Sequence, residues 1–277
     1  MAHMFISAAH KSSGKTTISI GLTALLARRG LDVAPCKKGP DYIDPIWLSL
    51  AANRSCANLD TFISSDEEVI EDFYAATENA DISLIEGNKG LYDGVALDGS
   101  NSNAAVAKLL KAPVILVIDC RGMTRGIAPL LIGYQMFDAD IRIAGVILNR
   151  VGGARHEAKL RASVEHFTTI PVLGAVHENP GLSIDEEHLG LIPGNELADA
   201  KDKINAIADF LAPALDLEKI IEIASSAERP AKTLTFKPDY KNYGQYAGLR
   251  IAIARDRAFG FYYPGDLQKF REYGAEL

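Results

Sequence analysis

The chain has 277 residues, 48% of which are apolar, and its 36 acidic residues outnumber the 29 basic ones. It is long for one domain and short for two large ones, and its apolar content is enough to fill a sizeable core. No run of Lys and Arg offers a surface for nucleic acid, and the longest apolar run, at 113–118, is far too short to cross a bilayer.

Three cysteines, Cys36, Cys56 and Cys120, are scattered and form no C-x-x-C pair. This pattern is typical of a reducing compartment and argues against a zinc site built from cysteines. With no secretion signal visible, we expect a cytoplasmic protein without a membrane or nucleic-acid partner. The first residues, 1–4, resemble a remnant of cloning before a natural start at Met4, so the predicted fold begins at residue 4.

The first predicted element is a short strand at Phe5 and Ile6, which a tight loop joins to a helix ending near Arg29. The loop ends in Gly-Lys-Thr at 14–16, as a P-loop does, and in a P-loop the backbone N–H groups at the start of a helix bind phosphate. The Lys would act on the β- and γ-phosphates, and the Thr hydroxyl would hold Mg²⁺. Ala9 stands where the usual pattern has its first Gly, so the match is imperfect. We expect ATP to bind Ser12, Ser13, Gly14, Lys15, Thr16 and Thr17.

The rest of the chain alternates strands with helices. One glycine and two prolines predict that the loop at 38–45 is not helical. Strands are predicted at 32–37, 81–86, 113–119, 141–149, 170–176 and, as a weaker candidate, 188–192. Helices are predicted at 65–79, 103–111, within 122–137, at 154–167 and across 197–227. This alternation predicts an α/β fold of the P-loop NTPase type, with a mostly parallel, twisted sheet and helices on both faces.

The sequence predicts one domain and the start of another. The first domain covers 4–227, and residues 228–247, rich in Lys, Pro and Tyr, are typical of a linker. Residues 249–255 are predicted to form the first strand of a new domain and 264–274 its first helix. A segment of about 30 residues cannot bury a core of its own, so we expect 248–277 to open a domain that is cut short here.

Three polar loops follow the carboxyl ends of predicted strands, which is where open parallel sheets bind ligands. They are the P-loop, the loop with Asp41 and Asp44, and the glycine-rich loop from Glu86 to Asp93. Oxygen ligands from Thr16, Asp41 and Glu86 would suit Mg²⁺ beside phosphate oxygens. Taken singly, either carboxylate could be an ordinary loop residue; together, each beside glycine at the end of a strand, they favour a metal site.

Two of these loops resemble motifs of the cobyrinic acid a,c-diamide synthase family: Lys-Lys-Gly-Pro-Asp-Tyr-Ile-Asp-Pro at 37–45 and Glu-Gly-Asn-Lys-Gly-Leu-Tyr-Asp-Gly at 86–94. The resemblance covers nearly the whole chain and implies an amidoligase domain similar in fold to dethiobiotin synthetase. Residues 250–264 resemble the start of that family's class I glutaminase domain, whose Cys and His would lie further on. The chain therefore resembles a synthetase half followed by a truncated glutaminase domain.

The resemblance implies ATP-dependent amidation of carboxylate side chains on a modified tetrapyrrole. Transfer of the γ-phosphoryl group would make an acyl phosphate, and ammonia, normally supplied from glutamine, would displace the phosphate. Lys15, Lys37 and Mg²⁺ would neutralise the charge on the phosphoryl group. Tyr42, Asp44 and Asp93 match motif positions that lie toward the substrate and the transferred phosphate in the family. We expect Asp44 to help place the metal or the incoming ammonia.

The adenine site is predicted at Asn149, whose amide can both donate and accept a hydrogen bond, as an adenine edge requires. The alternative is that Asn149 simply ends a strand in a turn. Pro193 and Asn195 could line the same base pocket.

The macrocycle and the function class both stay open at this stage. The family's substrates include cobyrinic acid, hydrogenobyrinic acid, nickel sirohydrochlorin and siroheme, and the unusual P-loop start at 8–13 favours the siroheme-amidating branch. A different class of function is a P-loop ATPase switch of the partitioning type; that group has an extra Lys in its loop, where this chain has His10. A third interpretation is a nucleotide-binding half that acts only with its missing domain. We also expect a homodimer.

Overall fold

The protein is seen in a computed structural model that describes residues 1–179, 186–187, 190–194, 199–231, 244, 246–256 and 258–277. Its centre is a seven-stranded parallel sheet. The strands are β1 (Ala2–Ala8), β2 (Val33–Lys38), β3 (Ala57–Leu59), β4 (Ile82–Gly90), β5 (Val114–Asp119), β6 (Ile143–Val151) and β7 (Val172–His177). They lie in the order β3-β2-β4-β1-β5-β6-β7, which puts β1 and its P-loop at the middle of the sheet. The prediction of an α/β fold of the P-loop NTPase type is confirmed.

Helices cover both faces of this sheet, as predicted. They are α1 (Lys15–Arg28), α2 (Ile43–Ala52), α3 (Asp66–Ala76), α4 (Asn103–Leu109), α5 (Ile127–Phe137), α6 (Ala154–Phe167), α7 (Ala200–Leu211), α8 (Leu217–Ser225) and α9 (Pro264–Glu272). A short antiparallel pair, β8 (Glu186–Glu187) and β9 (Gly190–Leu191), follows β7. Within the described residues, no helix has the length and apolar character needed to cross a membrane.

Alternate side chains of each strand enter two separate hydrophobic cores. In β1, Met4 and Ile6 join the core beneath α1, α2, α7 and α8, which includes Trp47. Phe5, between them, joins the opposite core beneath α3 to α6, which includes Phe73. Because successive side chains of a strand point to opposite faces, a continuously apolar strand is what a sheet covered on both faces requires.

The structure differs from the prediction at the N-terminus. Residues 2–4 belong to β1, where Ala2 pairs with Ile82 and His3 with Ser83. His3 is buried, and its Nε2 lies 2.8 Å from the carbonyl oxygen of Leu110. Leaving these residues out of the fold was therefore wrong, because strand pairing uses backbone groups and extends wherever an extended neighbour is in register.

A second correction concerns the loop at 38–45. Helix α2 begins inside it, at Ile43, although the prolines predicted no helix there. Oδ1 of Asp41 accepts hydrogen bonds from the N–H groups of Ile43 at 3.0 Å and Asp44 at 3.1 Å, which caps the helix. Pro45 lies in the first turn, where no intrahelical N–H donor is needed, so it does not break the helix.

Other boundaries match or shift by a few residues. Ser65 caps α3 in a capping box with Glu68, at the predicted start of this helix. The predicted helical region 197–227 forms two helices, because Asp216 starts α8 by accepting a hydrogen bond from the N–H of Lys219. In the C-terminal part, α9 confirms the predicted helix, whereas the described part of 249–255 shows only an isolated bridge, between Arg250 and Glu276.

Candidate active site

The P-loop runs from the end of β1 to the first turn of α1. Ser12 (φ 63°) and Gly14 (φ 82°) both have left-handed backbone conformations, which turn the chain so that the helix begins at Lys15. A Cβ on Gly14 would lie only 2.2 Å from Nδ2 of Asn149, so the position accepts no larger residue without movement. The N–H groups of the first turn of α1 are thereby left for an anion.

Residues at the end of β6 hold the P-loop from outside. Nδ2 of Asn149 donates a 2.8 Å hydrogen bond to the carbonyl oxygen of Ser13, and Nη1 of Arg150 donates a 2.8 Å bond to that of Ser12. Arg150 is itself paired with Asp119, at 2.8 Å. In the structure, the Asn149 amide thus bonds to the loop, and its role toward adenine stays a prediction.

Asp119 was not predicted from the sequence as a site residue. Burial would raise the pKa of its carboxyl group, but hydrogen bonds from Arg121 and Arg150 lower this pKa to about 2. Asp119 is therefore ionised, and through Arg150 it fixes the P-loop. The available signal was its place at the carboxyl end of a buried strand, the same signal that pointed to Glu86.

Side chains from the P-loop and β4 meet at Glu86, which is fully buried. Nζ of Lys15 lies 3.3 Å from Oε1 of Glu86, and Oγ1 of Thr16 donates a 2.8 Å hydrogen bond to the same oxygen. Oγ1 of Thr16 also lies 3.3 Å from Oδ2 of Asp44. Burial lowers the pKa of Lys15, and Glu86 opposes that shift.

Lys37, at the end of β2, completes this cluster. Its Nζ lies 2.9 Å from Oε1 of Glu86, 2.5 Å from Oδ2 of Asp44 and 3.5 Å from Oδ2 of Asp41. Burial would lower the pKa of Lys37, but the three carboxylates raise it above its ordinary value. The residues predicted to converge therefore do so: Asp41 and Glu86 reach the same ammonium group, next to Lys15.

The cluster offers oxygen donors that fit Mg²⁺. Oε2 of Glu86 is buried and has no hydrogen-bond partner among the described residues, and Thr16 presents its hydroxyl beside the same carboxylate. Asp41 faces Lys37 and the start of α2 instead. Among the described residues, no cluster of three or more His, Cys, Asp or Glu side chains could hold a metal ion on its own. Mg²⁺ commonly needs only one or two carboxylates, because phosphates and water fill its other positions.

Two further predicted residues border the cluster. The ring of Tyr42 stacks on those of Tyr263 and Phe261, with centroid separations of 4.5 and 5.4 Å and an interplanar angle of 11° in both cases. Asp93 lies near the start of the P-loop, since a Cβ on Gly90 would meet both Oδ2 of Asp93 and the carbonyl oxygen of Ala9. Tyr42 is thus part of an aromatic stack, and Asp93 lies beside the P-loop.

A cavity of about 240 Å³ opens beside the P-loop. Its lining includes Gly14, Thr17, Arg121, Asn149, Arg150 and Phe210. Pro193 does not belong to this lining. The segment around it packs on α2, where the carbonyl oxygen of Ile192 accepts a 2.9 Å hydrogen bond from Nε1 of Trp47. Asn195 lies outside the described residues.

The parallel sheet, the loop between β1 and α1 and the lysine at the start of that helix define a P-loop nucleotide-binding protein. Residues 5–192 match the family described as the CobQ/CobB/MinD/ParA nucleotide binding domain. The chain belongs to this family.

Curated relatives resemble the chain along nearly its whole length. A protein named cobyrinate a,c-diamide synthase from Magnetococcus marinus is 46% identical over 99% of this chain and 59% of its own length. One of the same name from Methanosarcina acetivorans is 41% identical over 99% of this chain and 57% of its own. The chain thus spans about three fifths of the length of these relatives.

Among solved structures, the septum site-determining protein MinD from Pyrococcus horikoshii OT3, complexed with Mg-ADP, matches at 15% identity with a TM-score of 0.47. The match covers 80% of this chain and 94% of that one.

Proposed function

We propose that this protein uses ATP and Mg²⁺ to amidate carboxylate side chains of a corrinoid precursor through an acyl phosphate. One observation carries the proposal: Lys15, Lys37, Thr16 and Glu86 meet within hydrogen-bonding distance beside the P-loop. The likeness to proteins named cobyrinate a,c-diamide synthase supports the reaction and the substrate class.

A carboxylate is a poor electrophile, because its leaving group would be oxide. Phosphorylation provides a better leaving group, and the protein's task in that step is to position the groups and neutralise charge. Lys15 would contact the β- and γ-phosphates of ATP, and Lys37, held between Glu86 and Asp44, would meet the transferred phosphoryl group. Thr16 and Glu86 would hold Mg²⁺, which supplies further positive charge beside the phosphates. Asp41, the third predicted ligand, has less support, because it faces Lys37 and the start of α2.

The second step is attack by ammonia on the acyl phosphate. Asp44 borders the same cluster and would help to place the incoming ammonia or the metal. Tyr42, in its aromatic stack, and Asp93, beside the P-loop, would lie toward the substrate. We propose Asn149 for adenine; Pro193 has less support, because it is not part of the cavity lining.

The substrate that we propose is cobyrinate, because the relatives carry its name. Siroheme, hydrogenobyrinic acid and nickel sirohydrochlorin remain the alternatives. We also propose a cytoplasmic homodimer that receives ammonia released from glutamine by a further domain. In this proposal, the amidoligase domain predicted at 4–227 extends back to Ala2, which belongs to β1. Residues 228–247 form the linker and 248–277 the start of the glutaminase-like domain.

The test is incubation of the purified chain with ATP, Mg²⁺, isotopically labelled ammonium and each macrocycle, followed by mass spectrometry. We expect labelled amide and ADP with cobyrinic acid, loss of both in Lys37→Met and Glu86→Gln, and no change in Lys219→Met, a control on the exposed face of α8. A second arm supplies the longer protein with glutamine. Absence of labelled amide in both arms, with every macrocycle, would refute the proposal.

One other function has support in the family itself, whose description includes MinD and ParA. A switch of that kind would dimerise when ATP binds and would bind no macrocycle. Light scattering with and without ATP, combined with macrocycle titration, distinguishes it from the amidoligase.

A further inference from the structure

Lys38 is a buried cation that the proposed phosphate chemistry does not use. It follows Lys37 at the end of β2, so its side chain lies on the opposite face of the strand. Only 7% of Lys38 is exposed, and its Nζ donates a 2.7 Å hydrogen bond to the carbonyl oxygen of Asn101. Among the described residues, it has no carboxylate partner within 4.0 Å, whereas Lys37 has three.

A buried ammonium group without a paired anion is costly, which makes its surroundings a place where an anion gains binding energy. Burial lowers the pKa of Lys38. The buried carboxylate of Asp60, which lies beyond the 4.0 Å of an ion pair, opposes this shift, and the nearby positive charge of Lys89 adds to it. Lys89 is exposed at the end of β4. Two lysines from neighbouring strands thus share one end of the sheet.

The loops on either side of Lys38 expose large apolar side chains. In the sheet, β2 lies between β3 and β4, so the loops that follow those two strands flank its end. The loop after β3 exposes Phe62 and Ile63, at 81% and 69%. The loop after β4 exposes Val95 and Leu97, at 86% and 106%.

Asn101 joins the cation to the second of these loops. Its Oδ1 accepts a 2.8 Å hydrogen bond from the N–H of Val95, while its carbonyl oxygen accepts from Lys38. A buried positive charge flanked by exposed apolar loops suits a ligand with an apolar body and carboxylate arms. A corrinoid acid has this character.

We infer that Lys38, with Lys89 beside it, binds a carboxylate of the macrocycle other than the one being activated, while loops 60–64 and 94–101 contact the ring. The inference rests on the proposed function, since the name of the relatives' reaction, a,c-diamide formation, requires more than one carboxylate on the substrate. Lys37 and Lys38, at the end of one strand, then have different roles. Lys37 meets the phosphoryl group, and Lys38 fixes which arm of the substrate reaches it.

The test is Lys38→Met, with affinity for cobyrinic acid measured by absorbance titration and KM measured for each substrate. We expect macrocycle affinity to fall about tenfold and its KM to rise in proportion, because a charge-assisted hydrogen bond is lost, while the KM for ATP stays unchanged. Lys38→Arg should retain most of the affinity. Lys89→Met, at an exposed position, should weaken binding by about threefold.

The fully esterified macrocycle separates a carboxylate contact from a structural role, because it keeps the ring and has no carboxylates. It should bind wild type and Lys38→Met equally; an equal loss with the acid and the ester would overturn the inference. Wild-type amidation with unchanged macrocycle affinity in both Lys38→Met and Lys89→Met would overturn it while leaving the proposed function intact. A wild type that neither binds nor amidates any macrocycle would overturn both.

Discussion

Replacing Gly14 by alanine tests how the P-loop is held in place. Gly14 has φ 82° and ψ 18°, a left-handed conformation that costs an L-residue about 1–2 kcal/mol. The new Cβ would lie 2.2 Å from Nδ2 of Asn149, so this amide must move and lose its 2.8 Å hydrogen bond to Ser13. That bond is worth about 1 kcal/mol. We therefore expect the free energy of unfolding to fall by about 2–3 kcal/mol.

A double-mutant cycle with Asn149→Ala isolates the steric part of this effect. Asn149→Ala alone should cost about 1 kcal/mol, from the same lost bond. In the double variant the bond is lost only once, so Gly14→Ala/Asn149→Ala should cost about 2–3 kcal/mol, roughly 1 kcal/mol less than the sum of the single variants. Urea unfolding at equilibrium measures all four proteins. Additivity to within about 0.3 kcal/mol would refute the clash between the two residues.

Three further substitutions test the charge cluster, the support of the P-loop and a helix cap. Lys37→Met should lower the free energy of unfolding by about 3 kcal/mol, because the buried Glu86 loses the nearer of its two cations and keeps only Lys15, and adding Glu86→Gln should restore part of it. Burial opposes ionisation of Asp119, but Arg121 helps to hold its pKa at about 2, against 3.8 in the unfolded chain. The stability that ionised Asp119 contributes is present above the unfolded pKa and is lost as the pH falls through the folded pKa. Between about pH 3.8 and pH 2, the free energy of unfolding in urea should therefore fall more steeply for the wild type than for Asp119→Asn. Ser65→Ala should cost about 1 kcal/mol by the same assay, because α3 loses its capping box.

Each of these has an outcome that contradicts it. Equal stability of Lys37→Met and the wild type would mean that Glu86 is not buried as an anion. Parallel acid-unfolding curves for wild type and Asp119→Asn would remove the argument for an ionised, paired carboxylate. For the cap, Glu67→Ala on the exposed first turn is the matched control, and a cost as large as that of Ser65→Ala would show no special role for the serine.

The sequence alone was a good guide to local structure. Most of the predicted strands and helices and the Gly-Lys-Thr turn depend on residues close together in the chain, and the structure has them within a few residues of the prediction. The predicted strand at 249–255 is only an isolated bridge, and β3 and α2 were not predicted. Where the predicted secondary structure was wrong, a contact that the hydrophobic periodicity does not record determined the local structure. Asp41 caps α2 despite two prolines, and pairing with β4 brings residues 2–4 into β1.

The strand order is what only the tertiary structure decided. The sequence predicts that a strand ends at Glu86, whereas β4 continues to Gly90. The sequence does not say that β4 lies between β1 and β2, which is why the Glu86 carboxylate reaches both Lys15 and Lys37. The support of the P-loop by Asp119 and Arg150 likewise spans more than a hundred residues of chain. Periodicity records local backbone preference, whereas strand pairing and buried charge depend on which distant segments can share one core, and no short stretch of sequence contains that information.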